Sequence, residues 1–136
     1  MKSKSKLFKP TVKYEVVFGD AGDTYANGGI VSNSKLYRSK WMEYAGEYFD
    51  ETGTYISAIA NEGYALYNEE WGCPLLGEET ITFNCTANPE FIKDMELYEA
   101  GVLYITNKLK EFFKQSTVTI TKLESTVKYI TNSEEE

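Results

Sequence analysis

Residues 78–113 read EETITFNCTANPEFIKDMELYEAGVLYITNKLKEFF. Within this stretch the apolar spacing changes from two to about 3.6. Ile81, Phe83 and Cys85 alternate with Thr80, Thr82 and Asn84, which is the pattern of a half-buried strand. Asn88-Pro89 then punctuates the chain, Asn as a helix cap and Pro as a favoured first helical residue. Phe91, Met95, Tyr98, Val102, Ile105, Leu109 and Phe112 follow at spacings of four and three. That seam predicts a helix of about 25 residues, roughly 38 Å long at 1.5 Å per residue. Ile92, Leu97, Leu103 and Phe113 form a second apolar strip.

Working outward from this strand and helix gives the rest of the order. Val12, Tyr14, Val16 and Phe18 alternate with Lys13 and Glu15 in a first strand. The glycine-rich segment GDAGDTYANGG, residues 19–29, reads as a polar loop. Ser32 or Ser34 can cap a helix carrying Tyr37, Trp41, Tyr44 and Tyr48, with Gly53 ending it. Residues 54–67 are strand-like, with a turn or bulge expected at Asn61-Glu62-Gly63. Beyond the long helix, Val118 and Ile120 precede a turn near Leu123-Glu124-Ser125, and Val127 and Tyr129 follow it. The expected fold class is α+β: a ferredoxin-like split βαβ order, β-α-β-β-α-β. Two helices would cover one face of an antiparallel sheet, with an extra edge strand. Residues 12–131 form the single domain, between a flexible Lys-rich tail (1–11) and an acidic tail (132–136).

Strands of six or seven residues span about 20 Å. A 38 Å helix would overhang them unless it broke near Gly101. Such an overhang would need another chain, so Met95, Tyr98, Val102, Ile105 and Leu109 are expected at a homo-oligomer interface.

Charge and composition then exclude chemistries. Residues 1–13 carry five lysines and no acid, so residues 14–136 hold nine bases against 21 acids, a net of −12. So acidic a body repels phosphates, and Arg38 is the single arginine, so direct nucleic-acid binding is not expected. No run of about 18 apolar residues spans a membrane, and the first residues lack a signal-peptide core. The expected location is cytoplasmic, the host cytoplasm if the gene is phage-borne. There is no histidine in the chain. That removes Ser-His-Asp and Cys-His nucleophile systems, His-ligated zinc and imidazole acid–base catalysis. No metal and no cofactor is expected. The glycine segment lacks both the GxxxxGK[ST] and the GxGxxG patterns, and Asp20 and Asp23 would repel an anion.

The stretch WGCPLLGEETITFNC, residues 71–85, holds both cysteines, Cys73 and Cys85. Glu69, Glu70, Glu78 and Glu79 surround Cys73 and oppose a thiolate, so Cys73 is not read as a nucleophile. Cys85 reads as a small core residue. Aromatics make up 15% of the chain, eleven of them tyrosines. Tyrosine surplus beyond a core marks contact surfaces. The candidate ligand or partner contacts are therefore Trp71, Tyr25, Arg38, Tyr64, Tyr67, Glu69 and Glu70, with no catalytic residue assigned.

The leading functional expectation is a non-enzymatic, acidic, aromatic-rich binding protein that sequesters or blocks a partner. Low Arg and His with high Lys, Glu, Tyr, Asn, Ile and Thr points to an AT-rich bacterial or phage genome. A phage inhibitor of host defence is the sharper form, acting on a protein or on a captured small nucleotide-like signal. For such a ligand, Tyr and Trp would stack on the base and Arg38 would take phosphate. The alternatives are a homo-oligomeric assembly subunit, or a small-molecule enzyme using carboxylate and tyrosine acid–base groups. The enzyme alternative needs a pair such as Glu78 and Tyr64 to meet in a buried pocket.

Overall fold

A computed structural model describes residues 7–26 and 29–131. Its elements run β1 (Lys9–Phe18), β2 (Asp23–Ala26), β3 (Gly29–Ser32), α1 (Asn33–Thr52), β4 (Ile59–Ala65), β5 (Glu78–Thr86), α2 (Met95–Phe112) and β6 (Thr119–Val127). The main sheet has the order β4-β5-β1-β6, and every pair in it is antiparallel. With α1 after β1 and α2 after β5, this is the ferredoxin-like split βαβ arrangement.

Both helices cover one face, and the core lies between. Tyr14, Val16 and Phe18 of β1 and Ile81, Phe83 and Cys85 of β5 point into it, as period-two alternation requires. From α1, Tyr37, Trp41, Ala45 and Tyr48 meet them. The Trp41 ring stacks on Phe83 with centroids 4.4 Å apart, and its indole N–H donates to the Ile56 carbonyl at 3.1 Å. Ser32 caps α1 by accepting from the Lys35 N–H, and Gly53 closes it in the left-handed conformation at φ 79°. Only a residue without a Cβ takes that φ cheaply.

Several local expectations are corrected. The 19–29 loop holds half of a small hairpin, β2 paired to β3. β4 runs straight through Asn61-Glu62-Gly63, because this segment keeps its pairing with β5, Asn61 opposite Thr82 and Gly63 opposite Thr80. β6 runs straight through Leu123–Ser125 in register with β1, so no extra edge strand forms among the described residues. That segment contains no Gly or Pro to stop the ladder. β1 begins at Lys9, so residues 9–11 belong to the sheet and not to the tail. Residues 1–6 and 132–136 lie outside the described residues.

The long helix is also shorter than its seam. Asn88 caps only a turn, its side chain accepting from Glu90 N–H and its carbonyl from Ile92 N–H. α2 starts afresh after Asp94, which accepts from Leu97 N–H at 3.0 Å. Its 18 residues span about 27 Å, close to the roughly 30 Å of the nine- and ten-residue strands. The helix neither overhangs nor breaks at Gly101. There the glycine lets α2 approach α1, since a Cβ would lie 2.6 Å from Tyr48 and 2.7 Å from Ile56.

The seam therefore has a different role from the one its spacing implied. Tyr98, Val102, Ile105 and Leu109 are all buried in the core of the same chain, with Met95 packed half-buried at its edge. Side chains already covered by α1 and the sheet cannot also be offered to a second copy. No helix among the described residues is long and apolar enough to cross a membrane.

Candidate active site

The glycine segment after β1 folds over the start of β5. The Ala21 N–H donates to the Glu79 carbonyl at 3.0 Å, and Asp20 turns the chain with φ 55°. This brings Gly19 and Gly22 against two adjacent carboxylates. A Cβ on Gly19 would lie 2.2 Å from Glu78 Oε2, and one on Gly22 would lie 2.1 Å from Glu79 Oε2. Neither glycine has a positive φ, so what they provide is room for the two carboxylates to lie close against the loop.

Two further elements hold this arrangement. Tyr67, just past β4, donates its hydroxyl to Glu78 Oε1 at 2.8 Å. That bond raises the Tyr67 pKa, because ionising the phenol would remove the donated proton beside a carboxylate. Behind the loop, Gln115 donates to the Gly19 carbonyl at 3.2 Å and to the Tyr37 hydroxyl at 3.0 Å. Tyr37 is buried, stacked on Phe113 at 3.6 Å, and its pKa is pushed up to about 12, chiefly by burial. The Gly19 backbone is therefore pinned from the core side while Glu78 faces it from the other.

Beside these groups lies a cleft of about 260 Å³, lined by Gly22, Ser34, Glu62, Tyr64, Glu79 and Thr80 among others. Ser34, in the first turn of α1, donates its hydroxyl to Glu62. A second cleft of about 380 Å³ is lined by Glu62, Asn61, Ala60 and Ile81 together with Arg38 of α1. Among the described residues, the first cleft gathers two carboxylates, Glu62 and Glu79, and the Tyr64 phenol, with no cation. It suits a positively charged small molecule.

The expected contact residues divide. Tyr64 and Arg38 line the clefts, and Tyr67 holds Glu78. Glu69, Glu70 and Trp71 form an exposed 3₁₀ turn between β4 and β5, capped by Asn68, with Trp71 77% exposed. This turn does not line the clefts. Tyr25 sits on β2, and its side chain lies outside the described residues. The expected Glu78–Tyr64 pairing does not form: Glu78 takes Tyr67, Tyr64 stands beside Glu79, and neither pair is buried. Sequence reading missed Gly19, Gly22, Ser34, Glu62, Glu79 and Gln115. The available signal was the GDAG segment directly after a strand, which reads equally well as a plain polar turn.

The fold and the cleft define the class: a ferredoxin-like α+β domain with carboxylates and a tyrosine lining a cleft beside its main sheet. The family model described as SAM lyase matches residues 9–131, and the chain belongs to that family. No curated protein matches it. Among solved structures, the chain is similar to a phage SAM lyase in complex with S-methyl-5'-thioadenosine, at 15% identity over 88% of this chain and 90% of that one, with a TM-score of 0.47. It is also similar to a de novo designed protein, Foldit4, at 13% identity over 85% of this chain and 97% of that one, with a TM-score of 0.44.

Family membership overturns the leading functional expectation. The family is one of enzymes, so the chain is not a non-enzymatic binding protein or a partner-blocking inhibitor. The missing histidine excludes imidazole chemistry and not catalysis itself, and the enzyme alternative built on carboxylate and tyrosine groups needs no imidazole.

Proposed function

We propose that this chain binds S-adenosylmethionine in the acidic cleft and breaks a carbon–sulfur bond of its sulfonium centre. The observation that carries the reading is the family match over residues 9–131. The geometry fits it. A sulfonium is a permanent cation that no pH change neutralises, so carboxylates are the natural complement. Glu62 and Glu79 supply them in the cleft with Glu78 next in the chain, and Tyr64 adds a ring face, worth about 0.5–1 kcal/mol toward a cation at an exposed site. The small nucleotide-like ligand expected from the sequence becomes, in this reading, an adenosine-bearing sulfonium.

The chemistry also accommodates a chain without histidine. Cleavage leaves the electron pair on sulfur as a neutral thioether, and the carbon it leaves takes its new bond from the substrate's own carboxylate oxygen, closing a lactone, so no proton is transferred in either half. A lyase adds no water, so no base is needed to activate one. What remains for the protein is orientation and a fixed electrostatic setting. Tyr67 and the glycine loop provide the setting by fixing Glu78.

The reading places the chain in the cytoplasm, where S-adenosylmethionine is made and consumed. It keeps a homo-oligomer but moves the contact to the exposed apolar side chains of β4 and the following connection, Ile59, Leu66, Leu75 and Leu76.

The test is incubation of purified protein with S-adenosylmethionine and chromatographic measurement of the adenosine thioether released. Wild type is expected to release it with turnover. Glu78→Gln should lose about 10²-fold in kcat/KM and Tyr67→Phe about 10-fold, by loss of a fixed charge and of one hydrogen bond to it. Failure of wild type to consume S-adenosylmethionine would refute the proposal.

A further inference from the structure

Arg38 is the single arginine of the chain, and its position is specific. It lies four residues after Ser34 on α1, so both project from the same helix face. Ser34 donates to Glu62, and Arg38 and Glu62 line one cleft together. Yet Arg38 makes no ion pair among the described residues. A guanidinium and a carboxylate thus line one cleft with no ion pair between them, the carboxylate being engaged by the serine.

That juxtaposition complements a free amino acid, whose ammonium and carboxylate share one carbon. We propose that Glu62 and Arg38 clamp the zwitterionic amino-acid end of the substrate, Glu62 taking the ammonium and Arg38 the carboxylate. This rests on the S-adenosylmethionine reading above. Arg38 is the specificity residue of the pair, since a planar guanidinium takes both carboxylate oxygens at once. Both clefts have Glu62 in their lining. The acidic cleft alone, at about 260 Å³, falls below the roughly 300 Å³ of typical ligand sites. The cleft that holds both Glu62 and Arg38, at about 380 Å³, lies within that range. The sulfonium would then lie toward Glu79 and Glu78, with the amino-acid end toward Arg38.

The experiment is calorimetric titration of wild type, Arg38→Ala and Arg38→Lys with S-adenosylmethionine and with its decarboxylated analogue. The analogue keeps the sulfonium and adenosine but lacks the carboxylate. Wild type should bind S-adenosylmethionine about 10- to 100-fold more tightly than the analogue, the range for a charge-assisted hydrogen-bond pair. Arg38→Ala should lose that preference by weakening only S-adenosylmethionine binding, and Arg38→Lys should recover part of it. Arg38 is exposed, so these variants are expected to fold. If Arg38→Ala binds both compounds as wild type does, or weakens both equally, the clamp is wrong while the substrate reading stands. If wild type binds neither compound, the substrate reading itself fails and the clamp fails with it.

Discussion

Gly19→Ala separates folding from function more cleanly than any charge removal. The added Cβ would lie 2.2 Å from Glu78 Oε2, against 3.4 Å for an ordinary contact, so the two must part by 1.2 Å. The loop cannot yield that distance easily, because the Gly19 carbonyl accepts from both Gln115 and Tyr37. The Glu78 carboxylate is the end of a flexible side chain held, among the described residues, only through Oε1 by Tyr67, so it is the group that shifts. Gly19 does not have the positive φ found at Gly53, Gly72 and Gly77, so alanine fits its backbone without strain. The substitution should even add up to about 0.4–1 kcal/mol by restricting the unfolded chain. Displacing a charge by about 1 Å at a reacting centre costs on the order of 10²-fold in rate. The expected result is a melting temperature at or slightly above wild type, with kcat/KM for S-adenosylmethionine cleavage reduced about 10²-fold. Thermal unfolding followed by circular dichroism and thioether release by chromatography measure the two. Wild-type activity in a stably folded Gly19→Ala would refute the claim that the loop fixes Glu78. A large fall in melting temperature would refute the claim that Glu78 absorbs the collision.

Two further outcomes test the scaffold. Gly101→Val should be destabilised by about 1–3 kcal/mol, because even its Cβ meets Tyr48 and Ile56 atoms at 2.6 to 2.8 Å in the core between the helices; denaturant titration reads the midpoint shift, and an unchanged midpoint would show the helices free to separate. Stability should hold up to about pH 10 and fall above it: Tyr14, Tyr37 and Tyr98 have pKa values raised above 10 chiefly by burial, so the unfolded chain gives up these protons first and folding loses this support as pH rises. Melting temperatures from pH 8 to 11 measure it, and a flat profile would show that these phenols ionise in place.

Much of the fold was legible because it rests on local periodicity. The β1 and β5 alternations, the Tyr37–Trp41–Tyr48 stripe and the Gly53 stop are read directly from neighbouring residues and form as read, and of the two serines offered as caps Ser32 is the one used. The errors fall where two local signals compete. Asn88-Pro89 and Asp94 both announce a helix, and the Phe91 seam continues through either. Asp94 starts the helix, and Phe91 instead stands exposed against Tyr129. An amphipathic seam also shows that a face is buried but not what buries it, so Val102, Ile105 and Leu109 pointed equally to a second chain and to the first.

The sequence by itself determined the α+β order, the acidic body and the exclusion of imidazole chemistry, because composition and periodicity are properties of the chain taken a few residues at a time. Only the tertiary structure decided the site. Gly19 and Glu78 lie 59 positions apart, Gln115 and Gly19 96 apart, and Ser34 and Glu62 28 apart. What joins them is the placement of β1 beside β5 and of α1 over β4. Proximity across a sheet is set by which strands pair, and no local pattern in GDAG or in Glu78-Glu79 carries that information.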